Sequence, residues 1–387
     1  MKTVRINRKG AGRLAAGHPW VFASDVLDAG GAGGGEAVRV ADPKGQLLGV
    51  AHYSAASQIS VRLLSREVEP IGRDFFLRRL RAAEQHRRRV ASGAEAYRVV
   101  HAEGDLLPAL IVDRYGDYLV VQTLDQGMER AKADIVAALE ELFAPRAIVE
   151  RNDSPVRRHE DLPLVTGLLA GAEPPPLVPV HINGLLFHAD LLRGQKTGVF
   201  LDQRENYPAA ARHAHGPALD CFTSTGGFAL HLAARVPRVI AIDSSAAALE
   251  TAARNRDANG IANVEFREAN VFDFLAAERA ARRRYGTIVL DPPAFSKSRQ
   301  TVDSAARGYK EINLRALELL EPGGVLVTCS CSHHVSEALL LEIVAEAALD
   351  AGRTMRVLDR RTQAQDHPIL LTVPETHYLK CLVLEAL

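Results

Sequence analysis

The spacing of hydrophobic and polar positions changes character along the 387 residues, and each change marks a different kind of element. From residue 1 to about 72 the apolar positions come in short runs broken by turn residues: VRINRKG, EAVRVAD, QLLGVAHYS and QISVRLLS, with a glycine-rich connection AGGAGGGE at 29–36. Strands this short with no helix between them predict a small β barrel. Residues 74–91 (DFFLRRLRAAEQHRRRVA) then switch to helical spacing. From 97 to about 170, AYRVVHAEGD, ALIVDRYGDYLVVQTL and RAIVERND flank a helical stretch at 129–143, a second small block of α+β type. The proline-rich GAEPPPLVP at 171–179 reads as a linker, because prolines cannot continue regular pairing. Beyond it, Asn183-Gly184 between two apolar runs is a two-residue hairpin signal.

After about residue 190 the pattern alternates. Strands PALDCF, RVIAIDS, VEFREA, TIVLDPP and GVLVTCSCS are separated by helical stretches beginning near Phe228, Ala246, Phe272, Ser304 and Ser336. Such alternation predicts a doubly wound parallel sheet with ligands outside the carboxyl ends of its strands. The expected division is 1–72, 73–176 and 177–387, the last block opening with the hairpin.

Composition changes this picture little. Lys+Arg and Asp+Glu are both 47, so no overall basic field marks a nucleic-acid protein, although a local patch could bind phosphate. The 39 Arg against 8 Lys suit phosphate and base edges, but a GC-rich genome produces the same bias. The arginines at 78, 79, 81, 87, 88 and 89 are read first as a solvated helix face and second as a phosphate-binding one. No apolar run approaches the ~18 residues of a membrane span, and the N-terminus lacks the apolar core of a signal peptide. Four cysteines at 221, 329, 331 and 381 are too few and badly spaced for a disulfide framework. The expectation is a cytoplasmic protein with reduced thiols.

The first chemistry lies at the strand ends. The strand ending in Asp220 turns through Cys221-Phe222-Thr223-Ser224-Thr225-Gly226-Gly227 into a helix, and the next strand ends in Asp243. A glycine-rich turn followed by an acid at the next strand end is how such sheets hold a nucleoside and its ribose. The fingerprint G-x-G-x-x-G is absent, and GQKTG at 194–198 lacks the upstream spacing of a phosphate loop. A dinucleotide or ATP therefore fits poorly, and S-adenosylmethionine fits better. At the end of the fourth strand stands Asp291-Pro292-Pro293-Ala294-Phe295. The prolines stiffen the backbone, and the acid can hydrogen-bond a nitrogen of a flat heterocycle.

The fifth strand carries Thr328-Cys329-Ser330-Cys331-Ser332, and residues two apart on a strand share a face. A thiolate at the carboxyl end has a use. Carbon 5 of cytosine is a poor nucleophile until a thiolate adds at carbon 6 and makes it enamine-like. Two other readings compete. The cysteines could be inert packing, as Cys221 and Cys381 are expected to be, or Cys329, Cys331, His333 and His334 could bind zinc. A straight strand wraps a tetrahedral ion badly, so no metal is expected.

These words, in their order, resemble the large-subunit ribosomal RNA methyltransferase I family, whose members make 5-methylcytosine in 23S rRNA. The matching segments are GQKTGVFLDQREN (194–206), LDCFTSTGGF (219–228), VLDPPAFSKSR (289–299), RGYKEINLRALELLEPGG (307–324), TCSCS (328–332) and HPILLTVPETHYLK (367–380). GHPWVFASDV (17–26) resembles the start of that family's PUA domain, and EGDLLPALIVDRYGDYLVVQ (103–122) its central α+β domain, so nearly the whole chain is covered. The implied fold is α/β: a C-terminal doubly wound, Rossmann-like class I methyltransferase domain behind an N-terminal PUA-like β pseudobarrel and a small central α+β domain.

The resemblance also implies roles. Gln203 and Arg204 would lie near the methionine end of S-adenosylmethionine, and Asp220, Phe222, Thr223, Gly226 and Gly227 would form the turn around it. Asp243, with Ser244, would hold the ribose. Asn270, followed by Val271, stands where the family usually has an acid facing the adenine amino group. Asp291 and Pro292 would face the target base or the cofactor's reacting end. Cys331, nearer the crevice, is preferred over Cys329 as nucleophile. Related enzymes have a second cysteine in the D-P-P region for product release. Here it is Ala294-Phe295, leaving Glu375 or a water as candidate base. The expected partner is 23S rRNA or a large-subunit precursor, gripped through residues around His18-Pro19-Trp20 and by arginines, although Trp20 fits a barrel core better than base stacking. No membrane is expected, and a homodimer is left open. Two rival functions remain: methylation of a base nitrogen without covalent catalysis, and a non-catalytic RNA-binding role in ribosome assembly.

Overall fold

The computed structural model describes residues 1–295 and 302–387. The tail of the D-P-P segment, Ser296–Arg299, lies outside the described residues. Two compact units emerge. The first comprises 1–180, 189–199 and 365–376, and the second 181–188, 200–364 and 377–387.

The first unit opens with β1 (Thr3–Ile6), α1 (Arg8–Ala15), β2 (Trp20–Phe22), β3 (Val26–Asp28), β4 (Ala37–Ala41), β5 (Leu47–Tyr53) and β6 (Ile59–Ser65). They form a six-stranded sheet in the order β2-β6-β5-β4-β1-β3, closed over Val4, Ile6, Leu14, Val21, Val38, Val40, Ala51 and Val61. The expectation of strands with no helix between them is corrected here. The VRINRKG run leaves the sheet at Asn7, whose side chain accepts from the Gly10 amide at 2.8 Å and caps α1. Leu14 on that helix is buried in the barrel core.

A five-stranded sheet follows, in the order β11-β10-β9-β8-β7. Its elements are α2 (Arg73–Val90), β7 (Ala96–His101), β8 (Leu110–Tyr115), β9 (Tyr118–Thr123), α3 (Gln126–Arg130), α4 (Lys132–Phe143), β10 (Ala147–Asn152) and β11 (Val165–Gly171). Phe75, Phe76, Leu80 and Leu139 from the helices share one core with Val99, Leu110, Val112 and Ile148 from the strands. The arginines of α2 are largely engaged within the unit. Arg78 pairs with Glu69, Arg81 with Glu141 and Arg88 with Glu84, and Arg79 donates to the Leu64 carbonyl. Arg87 departs from the solvated-face reading: it is fully buried, paired with Asp105 and bonded to the Asp366 carbonyl.

The hairpin β12 (Val178–Ile182) and β13 (Leu185–Ala189) turns through Asn183 and Gly184, both at positive φ (51° and 86°), as that turn type requires. The second unit continues with α5 (Asn206–His213), β14 (Ala218–Cys221), α6 (Gly227–Leu232), β15 (Val239–Asp243), α7 (Ala246–Ala258), β16 (Val264–Glu268) and α8 (Val271–Ala280). After these come β17 (Tyr285–Leu290), α9 (Val302–Leu319), β18 (Leu320–Ser330), α10 (Glu337–Asp350), β19 (Met355–Arg361) and β20 (Lys380–Ala386). They build a seven-stranded sheet ordered β16-β15-β14-β17-β18-β20-β19. β14 to β18 are mutually parallel, and β20 runs antiparallel to both β18 and β19. The order reverses between β14 and β17, which places the ligand crevice at their carboxyl ends. No helix among the described residues is long and apolar enough to cross a membrane.

Candidate cofactor and methyl-transfer site

The turn after β14 is held in a conformation side chains rarely adopt. Phe222, Ser224 and Gly226 have φ of 66°, 50° and 90°, three left-handed residues within five. Strain of that kind persists where surrounding contacts over-determine it, and it clusters at ligand sites. The contacts are present: Thr223 N donates to the Ile242 carbonyl (3.0 Å), and Ser224 N donates to Asp243 Oδ2 (2.9 Å). A Cβ on Gly227 would stand 2.4 Å from the Tyr207 ring, so no larger residue fits at the start of α6.

Two carboxylates frame this turn. Asp243, at the tip of β15, accepts from Ser224 N through Oδ2 and from Ser245 N through Oδ1, both at 2.9 Å. Asp220 is fully buried; its Oδ2 accepts from the Thr223 hydroxyl (2.6 Å) and the Ala229 amide (2.9 Å). Its Oδ1 is buried with no hydrogen-bond partner. Burial pushes this carboxyl up to about 7 against the pull of those two bonds, and Asp291 and Asp243 raise it further. A buried orphan oxygen amid three carboxylates suits a positively charged ligand, and S-adenosylmethionine carries a sulfonium and an ammonium. The residues present therefore fit that group.

Asp291 follows β17, where Leu290 pairs with Thr328 of β18 and Cys221 of β14. Gln203 Nε2 donates to Asp291 Oδ1 (3.0 Å), and Gln203 Oε1 accepts from Asn206 Nδ2 (2.7 Å). Asn206 Oδ1 in turn accepts from Arg361 Nε (2.9 Å). The chain Arg361–Asn206–Gln203–Asp291 fixes the carboxylate from three segments of the second unit. Arg204, in the same turn as Gln203, is buried, and its carbonyl accepts from Asn183 Nδ2 at 2.6 Å. Pro292 is buried, and Phe295 lies against Tyr309, ring centroids 4.7 Å apart.

The two cysteines diverge. Cys329 is fully buried and pairs across the sheet with Cys381, both as free thiols. Burial pushes its thiol well up, and the neighbouring Cys381 and Asp291 push the same way. Cys331 lies one residue beyond the end of β18 and is half-buried. On either side of it, the Ser330 and Ser332 hydroxyls bond the Tyr309 phenol at 2.9 and 3.1 Å.

The remaining positions differ in how far the structure gathers them. Val271 is buried at the first turn of α8, and Ser244 is exposed beside Asp243. Asn270 is the N-cap of α8, its Oδ1 accepting from Phe272 N (2.9 Å) and Asp273 N (3.3 Å). The carbonyl assigned to an adenine amino group thus already holds two backbone donors. Glu375 is bonded to His18 Nε2 at 3.2 Å within the first unit, and Trp20 Nε1 donates to Glu103 at 2.8 Å. Among the described residues no group of three or more His, Cys, Asp and Glu is placed to hold a metal. Sequence reasoning passed over Asn206, Tyr207 and Lys380. A lone lysine opening the apolar strand KCLVLEA was the signal available for the last of these.

Residues 4–66 match the PUA-like domain family, and residues 100–376 match the S-adenosylmethionine-dependent methyltransferase family. The ribosomal RNA large subunit methyltransferase I of Photobacterium profundum is 41% identical over 372 residues, 94% of each chain. Its counterpart from Tolumonas auensis is 40% identical and covers 100% of this chain and 99% of its own. Among solved structures, a protein assigned as a SAM-dependent methyltransferase from Streptococcus mutans superposes with a TM-score of 0.84 at 19% identity, covering 100% of both chains. A solved structure of a methyltransferase in complex with SAH gives 0.86 at 19% identity over the same coverage. At that identity they establish the fold.

Proposed function

The chain belongs to the ribosomal RNA large subunit methyltransferase I family, a PUA-like domain followed by an S-adenosylmethionine-dependent methyltransferase domain, and from there we propose that it methylates carbon 5 of a cytosine in 23S rRNA through a covalent Cys331 adduct. The observation that carries this reading is the contrast within TCSCS: Cys329 is sealed in the sheet, while Cys331 is half-exposed past the end of β18.

S-adenosylmethionine would supply an electrophilic methyl on a sulfonium. Asp220 and the turn Phe222–Gly227 would receive its amino-acid end with Gln203 and Arg204, and Asp243 its ribose. Val271 and Pro292 would line the adenine and the reacting end, with Asn270 contributing through what its cap leaves available. The Cys331 thiolate adds to carbon 6 of the base, carbon 5 then takes the methyl group, and loss of the carbon-5 proton with expulsion of the thiolate restores the ring. Asp291, which accepts from Gln203, would bond the base during addition. The target must be flipped from its stack to reach such a pocket, and binding through the PUA-like domain should weaken with salt.

The test uses labelled S-adenosylmethionine, the full chain and unmodified 23S rRNA, followed by nucleoside analysis. Label in 5-methylcytidine is the expected result. Label in a nucleoside methylated on a ring or exocyclic nitrogen overturns the thiol mechanism and favours an enzyme whose D-P-P segment merely positions an amine. Absence of both label and cofactor binding favours a non-catalytic RNA-binding protein.

A further inference from the structure

Lys380 opens β20 opposite Ser330 in the antiparallel ladder and is 3% exposed. Its Nζ donates to the carbonyl oxygens of Ser332 (2.7 Å) and Tyr378 (2.8 Å). The ammonium end of the side chain therefore sits on the backbone of Ser332, the residue that follows Cys331, and Cys331 is the charged group that acts on it. Because the Ser330 and Ser332 hydroxyls both meet Tyr309, the two neighbours of Cys331 are tied to α9 while Lys380 grips the backbone that follows the thiol.

We propose that Lys380 is a positioning residue for Cys331, taking the thiol proton and holding the resulting thiolate as its ammonium counter-ion. This rests on Cys331 as the nucleophile. Valence supports it. A neutral lysine amine has two N–H groups and one lone pair, and the two carbonyls accept those N–H groups. The lone pair is left for the proton, so transfer breaks no existing bond. In the forward direction S–H breaks, N–H forms, and the sulfur pair adds to carbon 6. In reverse the S–C6 bond breaks with its electrons returning to sulfur, and the ammonium can reprotonate the thiolate.

The energetics agree. Burial lowers Lys380 to about 8, and Cys331 is the charged group that opposes this. Among the described residues, Tyr309 from α9, and Tyr378 and His333, whose rings lie 5.7 Å apart, are titratable groups on the segments that meet here.

The test is alkylation of Cys331 by iodoacetamide in the full chain, followed by peptide mass spectrometry from about pH 6 to about pH 10. The native chain should alkylate with a midpoint below ~8.5. Lys380→Met should raise that midpoint by about one unit or more and slow alkylation at neutral pH about tenfold. Lys380→Arg, which keeps the cation beside the thiol, should keep the alkylation midpoint close to native. Cofactor affinity and thermal melting act as folding controls, with Lys380→Gln replacing any variant that fails them. An unmoved alkylation profile in Lys380→Met overturns the proposal. Full methyl transfer by Cys331→Ala would instead overturn the nucleophile reading, with the alkylation profile still deciding whether the two groups are paired.

Discussion

At Cys329 the last parallel strand is still paired with β20 and the thiol meets another cysteine, whereas two residues later Cys331 has left the ladder, and the carbonyl of the residue after it is held by a buried lysine. The same functional group is inert packing in one place and a candidate nucleophile in the other. Desolvation without a cation raises a thiol, while a nearby cation lowers one. A second contrast runs along the opposite half of the same edge. Asp243 has both oxygens bonded by backbone amides, but Asp220, in the neighbouring strand, keeps one buried oxygen unbonded. In the second pair the acid with both oxygens bonded is held by backbone, while the other keeps one buried oxygen unbonded.

The largest expected effect separates the two thiols. Cys331→Ala should reduce methyl transfer by at least about 10³-fold with cofactor affinity unchanged, since a covalent route loses its nucleophile. Calorimetry beside the transfer assay measures both. Transfer within tenfold of native in this variant would erase the comparison.

The two acids can be split by pH. The folded Asp220 titrates at about 7, above an unfolded value of ~3.9, so the stability it lends is complete below about pH 4 and is lost as pH rises through about 7. The ligand-free chain should lose about 4 kcal/mol across that window, and Asp220→Asn should flatten the loss and melt higher at about pH 8. Saturating S-adenosylmethionine should shrink the difference, because its positive charge relieves the carboxylate. Parallel melting curves for the two chains would contradict this account.

Asp243→Asn tests the satisfied acid. An amide offers one acceptor oxygen where two backbone amides now bind, so either the Ser224 or the Ser245 contact is lost along with the charge proposed to hold the ribose. Cofactor affinity should fall about 10- to 100-fold by calorimetry, with little dependence on pH.

How much of this was legible in the sequence follows from what is local. The β/α alternation, the Asn183-Gly184 turn and the acids at the tips of β14, β15 and β17 were readable, because each depends on a few adjacent residues. The helix α1 was not, since VRINRKG carries strand-forming residues up to the Asn7 cap. The antiparallel pairing of β18 with β20 was also hidden, and with it Lys380, because the pairing joins segments about fifty residues apart. The same holds for residues 189–199 and 365–376, which fold with the first unit although most of the sequence around them belongs to the second.

The smallest expected effect is the sharpest check on the opening contrast. Cys329→Ala removes one sulfur from a site buried between β17 and β20, a cavity cost of about 1 kcal/mol in stability. Methyl transfer per folded molecule should stay within about threefold of native, because Asp291 keeps its bond from Gln203. If the variant instead loses transfer while Cys331→Ala retains it, the roles exchange. The thiol next to Asp291 would then have to be reached by a base entering the sheet edge, and the pairing of Lys380 with Cys331 would be a structural tie at the strand end.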